Sequence, residues 1–125
     1  MCHNSFKNDN VRITENGNII ISGLDGCTYD LSILDLAHLI RKYIKSGNAD
    51  EYGISLILEN YSRYRGITSA ESDVVKGMLI YPYKFLKLCN EHYNKRRVCI
   101  SEAAVERFEN CIAGKDREMR LVRSI

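Results

Sequence analysis

Near the start of the chain, "MCHNSFKNDNVRI" sets a histidine, a serine and an asparagine in the order His3-x-Ser5-x-x-x-x-Asn10. This is the spacing of a phosphoryl-transfer catalytic loop, H-x-D-x-x-x-x-N, with serine where the working aspartate belongs. Phosphoryl transfer asks little covalent chemistry of a protein and much placement of charge. One carboxylate orients the attacking hydroxyl, while an asparagine and a second carboxylate hold the magnesium ions that bridge the phosphates. Such groups belong on loops at the ends of a hairpin, fixed by a helical base. The chain has that order: a loop carrying Ser5 and Asn10, a hairpin, then a loop carrying Asp25. A plainer account is equally open on spacing alone, with Asn8, Asp9 and Asn10 as turn formers and Asp25-Gly26 as an ordinary turn.

The elements that must position these residues follow from periodicity. "NVRITENGNIIIS" places two β-rich runs, 10–15 and 18–22, around Asn16-Gly17, the dipeptide that favours a type I′ hairpin turn. Beyond the loop-like "GLDGCTYD" the pattern turns helical. Leu36, Leu39, Ile40, Tyr43 and Ile44 repeat at helical spacing, and Gly47-Asn48 marks the stop. Ile54, Ile57, Leu58 and Tyr61 form a second stripe ended by Gly66. Thr68-x-x-Glu71 reads as a capping box for a third helix through Val74, Val75, Met78 and Leu79. Pro82, which has no amide hydrogen, must kink or divide that helix before Phe85 and Leu88. Ser101 caps a last helix through Val105, Phe108 and Ile112, and the charged tail "GKDREMRLVRSI" is expected to fray. The expected fold is mainly α: one domain over 1–125, with a short N-terminal hairpin (1–30) followed by four or five helices (31–125).

Composition narrows the function. A net charge of +2, with 27% charged residues in mixed order, lacks the basic stripe that tracks phosphates. A helical nucleic-acid-binding regulator, resting on "YNKRR" and on Arg117, Arg120 and Arg123, is therefore the weakest of three readings. No apolar run reaches the length of a membrane span, and residues 1–20 lack a signal-peptide core. The five cysteines, at 2, 27, 89, 99 and 111, form no CxxC pair and are expected to stay reduced. Cys89 and His92 stand three apart on a helix with Cys99 nearby, but zinc needs a fourth ligand, so buried small hydrophobes are the better account. The eight tyrosines are expected at the edge of the core rather than as a stacking platform.

The segments "YDLSILDLAHLIRKYIKSGN", "ILENYSRYRGITSAE" and "YPYKFLKLCNEHYNKRR", in that order, resemble the C-terminal lobe of the CotS-type spore coat proteins. That family is built on the aminoglycoside-phosphotransferase, choline-kinase-like fold. Cys2-His3-Asn4-Ser5-Phe6 is similar to its "CHG-S/D-F/Y" string, Gly23-Leu24-Asp25 and Tyr29-Asp30 to its "NFD" and "YD" segments. Asp35-Leu36, Arg41-Lys42 and Pro82-x-Lys84-Phe85 match its later elements, so the resemblance runs from Cys2 to about Arg97. The resemblance implies that Ser5 occupies the catalytic-base position and that Asn10 and Asp25 stand where magnesium ligands would. It also implies that Asp35 braces the catalytic loop and that His3 packs beneath it. As a first-turn carboxylate, Asp35 is equally accounted for by the helix dipole.

Serine is neutral and cannot accept a proton near pH 7, and the chain contains no GxGxxG or VAIK-like segment. The expectation is thus a truncated, non-catalytic relative that acts in the spore coat by assembly, with no cofactor beyond a vestigial Mg/ATP site. Its expected partners are other coat proteins or further copies of itself, through the first thirty residues, and neither nucleic acid nor membrane. Half of a small-molecule phosphotransferase that works with a separate N-terminal lobe is the alternative.

Overall fold

The β-branched runs on either side of Asn16-Gly17 pair as a two-stranded antiparallel sheet in the computed structural model, which describes residues 1–5, 8–94 and 101–125. Strand β1 (Val11–Ile13) runs against β2 (Ile19–Ile21), with Val11 opposite Ile21, Arg12 opposite Ile20 and Ile13 opposite Ile19. The turn differs from the type I′ form that Asn-Gly favours. The Thr14 N–H donates to the Asn18 carbonyl and the Gly17 N–H to the Thr14 carbonyl, both at 2.9 Å. Only Gly17, at φ 77°, enters the left-handed region there. Three residues therefore close the hairpin, a turn followed by a left-handed glycine. The Thr14 hydroxyl favours this wider loop by accepting the Asn18 N–H at 3.0 Å.

Six helices follow among the described residues: α1 (Ile33–Lys45), α2 (Glu51–Tyr64), α3 (Ser69–Ile80), α4 (Tyr83–Asn94), α5 (Glu102–Ala113) and α6 (Lys115–Arg123). Their boundaries have local causes. Gly47, at φ 88°, takes the left-handed conformation just past α1. Asp50 caps α2 by accepting the Gly53 N–H at 2.8 Å. The capping box of α3 is complete, with Thr68 Oγ1 accepting the Glu71 N–H and Glu71 accepting the Thr68 N–H. Pro82 stands between α3 and α4, so it divides the third stripe rather than kinking it.

The core is formed where α1, α2, α3 and α6 meet. Ile33, Leu36, Ala37, Ile40 and Ile44 from α1 pack with Ile54, Val75, Leu79, Leu121 and Val122. The charged tail does not fray: it folds as α6 and contributes two of those core residues. Its apolar positions are few but adjacent, and they face the stripe of α3. By contrast α4 and α5 contain no fully buried residue; Phe85 and Phe108 join them edge to face, with ring centroids 5.6 Å apart. Cys2, Cys27, Cys89 and Cys111 are unbridged, and Cys99 lies outside the described residues.

The hairpin sits apart from this core. Ile13, Ile19, Ile20 and Ile21 are all exposed. No helix among the described residues is long and apolar enough to cross a membrane.

Candidate functional site

The segment 1–5 is tied to the helical base at three points. Cys2 is buried; its N–H and carbonyl exchange hydrogen bonds with Thr28, and its thiol donates to the Leu31 carbonyl at 3.1 Å. This bridge holds the chain start beside the entrance to α1. The carboxylate of Asp35, in the first turn of α1, accepts the N–H of His3 on Oδ2 at 2.6 Å and the N–H of Asn4 on Oδ1 at 2.8 Å. Charged acceptors make the stronger hydrogen bonds, so both oxygens of one side chain fix two successive peptides.

Two successive amides can converge on one carboxylate only where the backbone turns sharply. Asn4 supplies the turn, with φ at 56°, and is the one non-glycine residue described in the left-handed region. Asparagine tolerates that region better than most residues. His3 completes the loop: its Nδ1 accepts the Ser5 N–H at 3.3 Å and its Nε2 lies 2.9 Å from the Ser22 carbonyl. A carbonyl can only accept, so the consistent assignment is the neutral imidazole with its proton on Nε2. His3 thereby links the 1–5 segment to the end of β2.

Ser5 and Asn10 are brought together. The Asn10 side-chain amide donates to the Ser5 carbonyl at 2.9 Å and to the Ser5 hydroxyl at 3.1 Å. The Asn10 carboxamide also lies over Gly23, where a Cβ would come within 2.5–2.8 Å of it. Gly23 is left-handed as well, at φ 75°, so a side chain there meets both strain and collision. Asp25 lies in a single 3-10 turn, Leu24–Gly26, and a Cβ on Gly26 would rest 3.5 Å from Ser5 Cβ. The loop bearing Asp25 thus passes directly beside the loop bearing Ser5.

What this arrangement can do follows from its donors and acceptors. With its nitrogen held by Ser5, Asn10 has only its neutral Oδ1 to offer a cation. Asp25, in the turn that passes beside Ser5, carries one carboxylate. No group of three or more His, Cys, Asp or Glu side chains among the described residues could hold a metal, and Cys89 with His92 forms none. Magnesium held by one amide oxygen and one carboxylate needs phosphate oxygens and water for the rest of its shell.

Two features escaped sequence reasoning. Gly23 has a defined task under Asn10, and its signal was a glycine two residues before Asp25 in a loop that must pass another loop. The second is a small cleft of about 60 Å³ beside Pro82, lined by Arg41, Lys45, Lys84, Lys115 and Glu118 with Tyr81 and Tyr83. Arg41 donates to the Met78 carbonyl and Lys115 to the Ile80 carbonyl, so two of these cations cap the C-terminal end of α3. Six of the eight tyrosines are exposed rather than at the core edge; only Tyr43 and Tyr61 pack against the core. Tyr52 and Tyr64 fall off the buried stripe of α2, and Tyr81 and Tyr83 flank the proline turn. Arg117, one of the arginines of the nucleic-acid reading, donates to the Gly47 and Ala49 carbonyls, and Lys95–Arg97 of "YNKRR" lie outside the described residues.

A family model described as "Spore coat putative kinase YutH" matches residues 1–125, and the chain belongs to that family. No solved structure matches the chain.

Proposed function

We propose that this member of the spore coat kinase-like family is a non-catalytic coat protein that acts by assembly. The observation that carries the proposal is the pairing of Ser5 with Asn10. The residue at the position of the catalytic base is a neutral hydroxyl, and it accepts a hydrogen bond from the Asn10 amide. A serine hydroxyl neither takes up a proton near neutral pH nor supplies the negative charge that orients an attacking hydroxyl. The Cys2–Ser5 loop with its Asp35 brace then persists as architecture: it joins the hairpin to α1. The CotS-type pattern of residues and the aminoglycoside-phosphotransferase-like lobe are part of the same proposal, as are Asn10 and Asp25 as a vestigial magnesium site.

The test is phosphoryl transfer by the purified chain with magnesium and γ-labelled ATP, alongside coat incorporation of a fluorescent fusion during sporulation. No turnover is expected, and Ser5→Ala is expected to enter the coat as well as the parent. Magnesium-dependent turnover that Asp25→Ala abolishes overturns the proposal. Magnesium titration gives a second readout: binding at micromolar concentration, lost in Asp25→Asn, contradicts a vestigial site.

A further inference from the structure

The hairpin has two edges, and they differ in chemistry. The Ser22 N–H donates to the Asn10 carbonyl and the Thr14 N–H to the Asn18 carbonyl. Alternation along an antiparallel ladder makes Arg12 and Ile20 the hydrogen-bonded pair between these two. The backbone groups of Ile19 and Ile21 therefore point away from β1, along the open edge of β2. Those of Val11 and Ile13 point out along the open edge of β1.

An open edge is normally blunted by charge, proline or a bulge. The β2 edge has none of these: from Asn16 to Leu24 there is no charged residue and no proline. Its three side chains are isoleucines, 65%, 51% and 48% exposed. We propose that this edge pairs with the same edge of a second copy, β2 against β2 about a twofold axis through Ile20, giving a four-stranded antiparallel sheet. This deepens the assembly reading given above and rests on it; the new element is the partner, a second copy of this chain.

The register is self-consistent. With Ile20 opposite its own copy, Ile19 faces the partner's Ile21 and Ile21 faces the partner's Ile19. These are the residues whose N–H and C=O groups point outward, so four backbone hydrogen bonds form and none of these groups is left unpaired. Ile20 becomes a non-hydrogen-bonded pair with its copy, the geometry in which side chains approach most closely. The β1 edge fits the same register less well. Twofold pairing there sets Arg12 directly opposite Arg12 of the copy, a like-charge pair. A three-residue edge buries less area than a stable dimer needs, so the dimer forms only at high local concentration, as in a coat.

The experiment is sedimentation equilibrium of the full chain over about a hundredfold range of concentration reaching about 1 mM, where a weak edge-to-edge dimer is populated. The apparent mass is expected to rise from one chain toward two. Ile21→Pro removes an outward N–H and leaves the β1–β2 ladder intact, and Ile20→Lys sets like charges on the axis; each should hold the chain monomeric. Ile13→Pro, on the other edge, should dimerise as the parent does. Under mild oxidation Ile20→Cys should give a disulfide dimer above the parent's background, because non-hydrogen-bonded pairs hold Cα atoms about 4.5 Å apart. A parent that stays monomeric throughout overturns edge pairing, as does a dimer unaffected by Ile21→Pro and Ile20→Lys. Circular dichroism of each variant separates lost pairing from lost folding. The phosphoryl-transfer assay bears on the non-catalytic proposal alone, so the two failures are distinguishable.

Discussion

The carboxylate of Asp35 accepts the backbone N–H of His3 at 2.6 Å, across thirty-two residues of sequence. With the Asn4 N–H on its other oxygen, it ties the N-terminal loop to the helical base. Asparagine at this position keeps one acceptor but turns an NH₂ toward the second amide. Asp35→Asn is expected to cost about 1.5–3 kcal/mol, the usual range for a hydrogen bond to a charged group. Native-state hydrogen exchange locates the loss: residues 2–5 should open faster while α1 and α3 keep their protection. Uniform acceleration across the whole chain would mean that the carboxylate supports the core rather than the loop.

Acid should loosen two helix starts. Asp50 is held below its ordinary pKa, first by the Gly53 N–H and then by the Tyr43 hydroxyl. Glu71 is lowered as well, first by the Thr68 N–H and then by the Arg65 guanidinium. A carboxyl lowered in the folded state stabilises it above the unfolded pKa, and that stabilisation fades as pH falls through the folded value. With the ordinary carboxyl values of 3.8 for Asp and 4.5 for Glu standing for the unfolded chain, the effect is complete above this range and lost progressively below it. Thermal melts as a function of pH should therefore show a falling limb below about pH 4.5. That limb should be shallower in Glu71→Gln and Asp50→Asn, and an unchanged limb in the double variant would assign it to other carboxyls.

Gly53 offers a sharper test of packing against propensity. Alanine is favoured over glycine inside helices by up to about 1 kcal/mol, so an alanine in the first turn of α2 would ordinarily help. Here a Cβ would stand 2.0 Å from the Tyr43 hydroxyl oxygen and 2.5 Å from Cζ. Moving the ring breaks its 2.9 Å hydrogen bond to Asp50, the residue that caps α2. Gly53→Ala is expected to destabilise by chemical denaturation. In a Tyr43→Ala background the same change should stabilise, and the reversal of sign is the measurement. A stabilising Gly53→Ala in the parent chain would show that the ring moves freely.

Much of this was legible in the sequence. The stripes from Leu36 to Ile44 and from Val74 to Leu79 gave α1 and α3, because a 3.6-residue period bounded by the Gly47 stop after α1 and the Thr68 capping box before α3 leaves little choice. The loop of His3, Ser5 and Asn10 was legible as a spacing, and Ser5 and Asn10 do meet. The left-handed turn at Asn4 was not, since a single asparagine does not announce its φ. The exposure of six tyrosines was not either: periodicity says which residues share a face, not which faces find a partner. The hairpin turn was misjudged because Asn-Gly fixes only the need for a left-handed residue, and the hydroxyl of Thr14 decides the loop length.

The C-terminal helix is where sequence pattern and core disagree most. "GKDREMRLVRSI" is dominated by charge, yet Leu121 and Val122 are 7% and 4% exposed in the core beside Val75 and Leu79. Arg117 adds a second attachment, donating to the Gly47 carbonyl at 2.6 Å and the Ala49 carbonyl at 3.0 Å across the α1–α2 loop. The charges that suggest fraying are thus partly engaged with backbone acceptors. Leu121→Ala deletes buried methyl groups and leaves a cavity, at an expected cost of about 2–5 kcal/mol. Arg117→Ala should cost less, because the Gly47 carbonyl can turn to water, and should act through faster exchange in the 46–50 loop. Met119 lies on the same helix outside the core cluster, so Met119→Ala should change stability little. If Leu121→Ala and Met119→Ala proved equally mild in denaturant unfolding, α6 would be a peripheral helix and the core would close without it.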